Sequence, residues 1–358
     1  MSKTTPLRFA SVDALRGLTV AAMLLVNDPG DWGHVYAPLQ HAEWHGCTPT
    51  DLIFPFFLFI VGVSISLGIT PRLEAGGDRG ALLRAVLWRG AKIIAIGLLL
   101  HLLAFWWLDK PWFRPWGVLQ RIGLCFIAAG AMALYLRPRA QGWVVAVVLL
   151  GYWMLLALGG SYAPLDNLAS RIDTALFGQL LYQFDPATGR GHDPEGLLST
   201  LPAIATTLLG VRAGDWLRRQ QTRRLLSGAA LALAVGGLWS LWLPLNKNLW
   251  TSSYVVWTAG WAMLALWLAH ALIDVKGLRP WGRSFGVNAI AAYAGSAVMV
   301  YAFSALGWMQ PIYRHGFADW MTPRFGPYLP SLAFALAFVL VWWAIVRLMD
   351  RQRWYLKV

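Results

Sequence analysis

Apolar residues run along this chain in long stretches instead of alternating with polar ones. Ile93–Trp107, Val144–Leu158, Leu225–Leu245 and Ser331–Val346 are examples. A helix of about 20 such residues matches the roughly 30 Å hydrocarbon core of a bilayer, where a helix satisfies its own backbone. The glycines, prolines and charges between the stretches predict about ten spanning helices: 12–27, 50–69, 84–106, 118–136, 142–158, 197–213, 225–244, 252–273, 286–305 and 328–348. The expected fold class is an all-α polytopic membrane protein, with residues 1–358 as a single transmembrane domain. The first span is short, which suits a helix buried among others or one ending in a cavity at Asn27-Asp-Pro-Gly30. Lys3 and Arg8 ahead of it mimic a signal peptide. No small-x-small cleavage site follows, and Asp13 and Arg16 sit at its start, so a retained first helix is expected. The connection 159–196 is the longest, and connections of that length are often functional.

Composition agrees with the pattern. Hydrophobic residues make up 58% of the chain and charged ones 13%, about half the charge of a soluble domain. Mean hydropathy is +0.52. Tryptophans near segment ends (Trp106, Trp107, Trp112, Trp116, Trp250, Trp320) suit the membrane interface. A net charge of +13 would suit nucleic acid, but its distribution excludes that partner. Basic residues gather in alternate connections: Arg72, Arg79, Arg84; Arg137, Arg139; Arg212, Arg218, Arg219, Arg223, Arg224; Lys276, Arg279, Arg283; Arg347, Arg351, Arg353, Lys357. Membrane proteins concentrate such charge in cytoplasmic loops. Both termini are therefore expected in the cytoplasm. The loop around His41, the 159–196 connection and the turn Asn246–Trp250 then face outward, and membrane lipid is the expected surroundings. Cys47 and Cys125 read as packing residues, not as a disulfide.

Candidate chemistry concentrates in His41-Ala-Glu-Trp-His-Gly-Cys-Thr-Pro-Thr-Asp51, which leads straight into an apolar segment. Titratable groups at that position must lie at the membrane surface or line a protein-walled cavity. With Glu43, Trp44, Asp51 and Asn27 around it, His41 reads as a proton-transfer group. His41 and His45 have the spacing of a helical metal pair, but Gly46 and Pro49 make the segment a loop, so no metal is expected. Arg121, one turn into an apolar helix, needs a partner; a substrate group, or a salt bridge to Asp51, Asp193 or Glu195, accounts for it equally well. Asp193 and Glu195 either cap the next helix or hold an amine or sugar. Asn246, Lys247, Asn248 and Asn288 offer donors to a ligand or to helix ends. Asp13 and Arg16 form an ion pair, or Arg16 meets a phosphate at a cytoplasmic mouth.

Six strings occur in order: Ser11-Val-Asp-Ala-Leu-Arg-Gly17, Val26-Asn27, His41-Ala-x-Trp-x-Gly46 with Thr-x-x-Asp51-Leu-x-Phe-Pro55, Gly117-Val-Leu-Gln-Arg121, Asp193-Pro-Glu-Gly196, and Pro244-x-Asn-Lys-Asn-Leu-Trp250. Together they resemble the heparan-α-glucosaminide N-acetyltransferase family, from near Arg8 to beyond Asn288. Relative to the lysosomal enzyme, a member without the N-terminal lumenal domain and its following helix is expected, and the loop between Asn27 and His41 is longer. A bacterial-type, multi-pass inner-membrane member is expected. The resemblance implies transfer of an acetyl group from cytoplasmic acetyl-CoA, the co-substrate, to the amine of a glucosamine-type sugar on the outer, periplasmic side. It carries the family's active-site histidine onto His41 and its asparagine onto Asn27, with either an acetyl-histidine intermediate or a ternary complex.

On that reading His41 is the general base or transient acetyl carrier, and Asn27 donates to the thioester oxygen. Asp51, Trp44, Arg121, Asp193, Glu195 and Asn248 are candidates for binding the acceptor or orienting His41. Arg16, Arg89 and Asn288 are candidates for coenzyme binding. The true acceptor, the acyl preference and the oligomeric state, a homodimer included, are left open. Two other classes fit the same spans. A transporter of amino sugars or small glycans would move unmodified sugar without acetyl-CoA, and a structural scaffold would be indifferent to changes at His41 and Asn27.

Overall fold

A computed structural model describes residues 9–356. Lys3, Arg8 and Lys357, used above in the charge pattern, lie outside the described residues. In chain order the helices are α1 (Ala10–Asn27), α2 (Ile53–Gly68), α3 (Thr70–Glu74), α4 (Arg79–Trp107), α5 (Val118–Tyr135), α6 (Pro138–Leu158) and α7 (Leu168–Phe177). A hairpin of β1 (Gln183–Asp185) and β2 (Arg190–His192) follows, antiparallel with Phe184 opposite Gly191. Then come α8 (Leu197–Arg218), α9 (Thr222–Trp239), α10 (Ser252–Ala269), α11 (Arg283–Val287), α12 (Ala289–Ala305), α13 (Met309–Tyr313), α14 (Asp319–Phe325) and α15 (Tyr328–Arg351).

The protein is an all-α polytopic membrane protein. Among the described residues, eight helical segments are long and apolar enough to cross a bilayer. They are α1, Thr50–Glu74, α4, α5, α6, α8, Ser252–Val275 and α15. Each of the ten expected stretches contains a helix, with 225–244 leaving it after Trp239, but two fall short of that standard. Arg223 and Arg224 in the first turn of α9 dilute its apolar run. α12 has 17 residues and qualifies only together with Met309–Phe325, across a 101° bend, as a ninth broken span.

α2 stands at the centre. Leu58, Phe59, Ile60 and Val63 on it are at most 1% exposed, and α1, α5, α8 and α10 pack around it. Its tightest neighbour is α8, where a Cβ on Gly62 would fall 1.9 Å from the Thr207 carbonyl oxygen and one on Gly210 would fall 2.0 Å from that of Phe59. Small residues allow such backbone approach where helices pack in lipid. The outer helices present apolar stripes: Trp143, Val147, Leu150, Met154 and Leu158 are all exposed along one side of α6. Those residues recur at helical spacing, as a lipid-facing surface requires.

Chain direction gives the bundle two ends. The end of α1 and the starts of α2, α5, α8 and α10 meet at a histidine mouth, with the loops carrying His41, Arg114, residues 159–196 and Lys247. The starts of α1, α4 and α11 meet the end of α2 at an arginine mouth. Side chains close the exposed helix starts. Asp78 accepts from the Ala81 amide at 2.7 Å to open α4, and Asp173 accepts from the Leu197 amide at 3.0 Å to open α8.

Candidate active site

At the histidine mouth Asp51 organises the loop. It lies in the tight turn that opens α2 and is 1% exposed. One carboxylate oxygen accepts from His41 Nδ1 at 2.7 Å. The other accepts from the amides of Ala42 and Thr48, each at 3.0 Å, and from the Thr48 hydroxyl at 3.1 Å. Tyr254 donates to the Asp51 carbonyl oxygen at 2.6 Å and pins the turn from α10. With Nδ1–H held by a carboxylate, the His41 lone pair resides on Nε2. The ring side chain is 47% exposed and faces open space.

That space is a cavity of about 330 Å³ lined by His41, Trp44, Asp51, Glu195, Lys247 and Asn248, with Glu43, Tyr182 and Pro194. Small-molecule sites begin at about this size. Trp44 is held by its indole N–H, which donates to the Tyr162 carbonyl oxygen at 2.7 Å, and by edge contact with the His192 ring. Glu195 is held by Arg114 Nη2 at 2.6 Å. Burial alone would raise the Glu195 carboxyl; the cations Arg114, Arg121 and Lys247 outweigh it and keep the group below the usual carboxylate range. Lys247 Nζ lies 3.1 Å from His41 Nε2 and 3.2 Å from Nδ1. Burial disfavours its ammonium form and lowers its pKa, with Glu195 and Asp51 pulling the other way.

A smaller cavity, about 70 Å³, continues inward from the same residues. His41, Glu195 and Lys247 line it together with Asn27, Phe54, Val118 and Tyr293. Asn27 is exposed to it at the last residue of α1, and among the described residues none hydrogen-bonds its side-chain amide. From the arginine mouth a third cavity of about 290 Å³ enters between the same helices. Arg16, Ser64 and Arg89 stand among its lining, with Phe57, Leu119, Ile122 and Ile290. Phe54 and Phe57 on α2, Val118 and Ile122 on α5, and Ile290 and Tyr293 on α12 therefore bring the two cavities within a turn or so of helix, about 5 Å of rise per turn. Arg16 donates to Asp13 at 3.1 Å, Ser64 at 2.9 Å and the Gly286 carbonyl at 3.2 Å. Arg89 lies 5.0 Å over the Phe126 ring.

The structure thus gathers His41, Asn27, Asp51, Trp44, Glu195 and Asn248 at one mouth and Arg16 with Arg89 at the other. Three expected residues are placed elsewhere. Asp193 is 1% exposed and turned to Arg114 at 2.5 and 2.8 Å and to the amides of Tyr182 and Glu195, so it braces the site without lining the cavity. Arg121 is fully buried, and its partners are the Gly196 carbonyl, the Ser199 hydroxyl and the Trp250 ring; Arg114, seven residues earlier, takes the acids expected for it. Asn288 is 2% exposed and turns toward the α15 backbone at Val346, beside the arginine-mouth cavity but not in its lining. Lys247 was legible only as one donor in an Asn-Lys-Asn turn. A lysine stranded between two apolar stretches is the signal that marked it. Arg114 and Tyr293 carried no such signal.

The catalytic-region family model described as "Heparan-alpha-glucosaminide N-acetyltransferase, catalytic" matches residues 8–245. The human protein named heparan-alpha-glucosaminide N-acetyltransferase is 32% identical over 359 residues, covering 82% of this chain and 53% of that protein. The mouse protein of the same name is 31% identical over 358 residues, covering 82% and 54%. The chain spans about half the length of the curated relatives it matches.

Proposed function

Because the chain belongs to the heparan-alpha-glucosaminide N-acetyltransferase catalytic family, we propose that it is a transmembrane acetyltransferase. It takes the acetyl group of acetyl-CoA at the arginine mouth and delivers it to the amine of a glucosamine-type sugar at the histidine mouth. The alternation of basic connections supports a cytoplasmic arginine mouth and a periplasmic histidine mouth in a bacterial inner membrane. The observation that carries the reading is the pair of cavities that reach toward each other between α2, α5 and α12, one ending at Arg16 and Arg89 and the other at His41 and Asn27. The arginine-mouth cavity has apolar walls behind two cations, which suits a thin pantetheine arm behind a phosphorylated nucleotide.

In this mechanism the acceptor ammonium gives its proton to His41 Nε2 and the free amine attacks the thioester carbonyl. The carbonyl oxygen becomes an oxyanion, and the Asn27 amide donates to it; such a donor is worth about 10²–10³ in rate. Asp51 holds Nδ1–H and stabilises the imidazolium that forms. Collapse expels the CoA thiolate; of the two protons the nitrogen sheds, one passes through His41 to the thiolate and the other is released to solvent, giving amide and CoA thiol. Glu195, kept ionised, attracts the incoming ammonium, and Trp44 offers an indole face to the sugar. The test is radiolabelled acetyl transfer from acetyl-CoA to glucosamine by the purified full chain in detergent micelles. N-acetylated product with matching release of CoA thiol is expected, reduced at least about 10³-fold in His41→Ala. Undiminished transfer by that variant sinks the assignment. Sugar movement into vesicles without acetyl-CoA would favour a transporter.

A further inference from the structure

Lys247 has no part in the steps above, yet it stands where one of their reactants must stand. Its Nζ is 3.1 Å from His41 Nε2. Nδ1 is committed to Asp51 at 2.7 Å, which leaves Nε2 as the free ring nitrogen; Nζ, 3.2 Å from Nδ1 as well, lies against the ring, a small side-chain swing from the Nε2 lone pair. An acceptor that hands a proton to that nitrogen has to approach within about 3 Å. Lys247 also lines both cavities of the histidine mouth, the inner one together with Asn27. A primary amine therefore sits beside the base and the oxyanion donor, on the route by which a thioester would arrive.

We propose that Lys247 is itself an acetyl acceptor, modified by the chain's own active site when acetyl-CoA is present and sugar is absent. The inference rests on the acetyltransferase reading. The neutral Nζ attacks the thioester carbonyl and forms the C–N bond. The oxyanion is held by Asn27, and the C–S bond breaks on collapse. The Nζ proton passes through His41 Nε2 to the departing thiolate. One acetyl-CoA yields one amide and one CoA thiol, with no redox change. Burial favours the neutral amine that this attack requires, although Glu195 and Asp51 oppose it. The product differs from an acetyl-imidazole in a decisive way: an amide does not pass its acyl group on. Acetyl-Lys247 would fill the acceptor's place and remove the cation beside Glu195 and Asp51, so the modification switches the site off. A bound sugar displaces the lysine and protects it.

The full chain in micelles is incubated with radiolabelled acetyl-CoA alone, then analysed by intact mass and peptide mapping. A gain of one acetyl group is expected on Lys247, stable to hydroxylamine, with loss of sugar acetylation in proportion to the label. Glucosamine added at the start should suppress it, Lys247→Arg should abolish it, and Asn27→Ala and His41→Ala should each slow it by about 100-fold or more. Sugar turnover continuing while Lys247 stays unmodified would overturn the inference and leave the acetyltransferase reading standing. Equal labelling of Lys247 in the His41→Ala chain would also overturn it, as adventitious chemical acetylation. Absence of both sugar product and label sinks both readings.

Discussion

The two mouths of the bundle handle charge in opposite ways. At the histidine mouth Asp51, Asp193 and Glu195 are each engaged by a cation or by several N–H groups at hydrogen-bond distance. At the arginine mouth Arg16 pairs with Asp13, whereas Arg89 has an aromatic ring and, among the described residues, no carboxylate partner. Matched charges fix side-chain orientation and proton position, which is what bond-making chemistry needs. Arg89, over apolar walls and with no carboxylate among the described residues, leaves positive potential for a polyanion. On this account chemistry and coenzyme anchoring occupy different ends of one molecule, and substitutions at the two ends should fail differently.

The largest effect should come from Asp51→Asn. The substitution keeps the size of the side chain but no longer demands Nδ1–H, so His41 can take the wrong tautomer. Turnover should fall about 10³–10⁴-fold with little change in KM for acetyl-CoA, measured by steady-state acetyl transfer. A variant that loses acetyl-CoA affinity instead would erase the distinction between the mouths. Arg89→Ala tests the other end. KM for acetyl-CoA should rise about ten- to a hundredfold with kcat nearly unchanged, and the wild-type KM should climb with salt as phosphate contacts are screened. Glu195→Gln should raise KM for the sugar by about tenfold and leave acetyl-CoA binding alone, because the lost charge faces only the histidine-mouth cavities.

The smallest effect concerns stability. His192 is 3% exposed beneath Trp44, and burial pushes its pKa down to about 4 despite nearby Asp193 and Glu195. The unfolded chain binds the proton near pH 6.5 and the folded one near 4, so stability is present above pH 6.5 and lost as pH falls toward 4. At pH 5 the cost is about 2 kcal/mol. Thermal unfolding at pH 7.5 and pH 5 should show a drop for the native chain that His192→Gln reduces. An equal drop in both would mean the ring is solvated, and the histidine mouth looser than described.

The spans were legible because apolar runs act locally, through the length of one helix. The His41–Asp51 pair was legible too, since both residues sit within one short loop where few partners compete. Pairings that cross the fold were not. Whether Arg114 or Arg121 reaches Glu195 depends on the path of the loop before α5, and the intramembrane arginine turned inward to Ser199 and Trp250 instead. Lys247 meets His41 across 206 residues, a closure set by α2, α8 and α10 packing together. The bend after α12 was missed because an apolar run does not report its own direction.

The central claim is that an acetyl group crosses from one mouth to the other inside the protein. The chain, reconstituted in a single orientation in sealed vesicles, is given labelled acetyl-CoA only on the arginine-mouth side and glucosamine only on the histidine-mouth side. The account predicts N-acetylated sugar on the histidine side, with the CoA thiol left on the side where it was supplied. Product that forms only when both substrates share one compartment would contradict it.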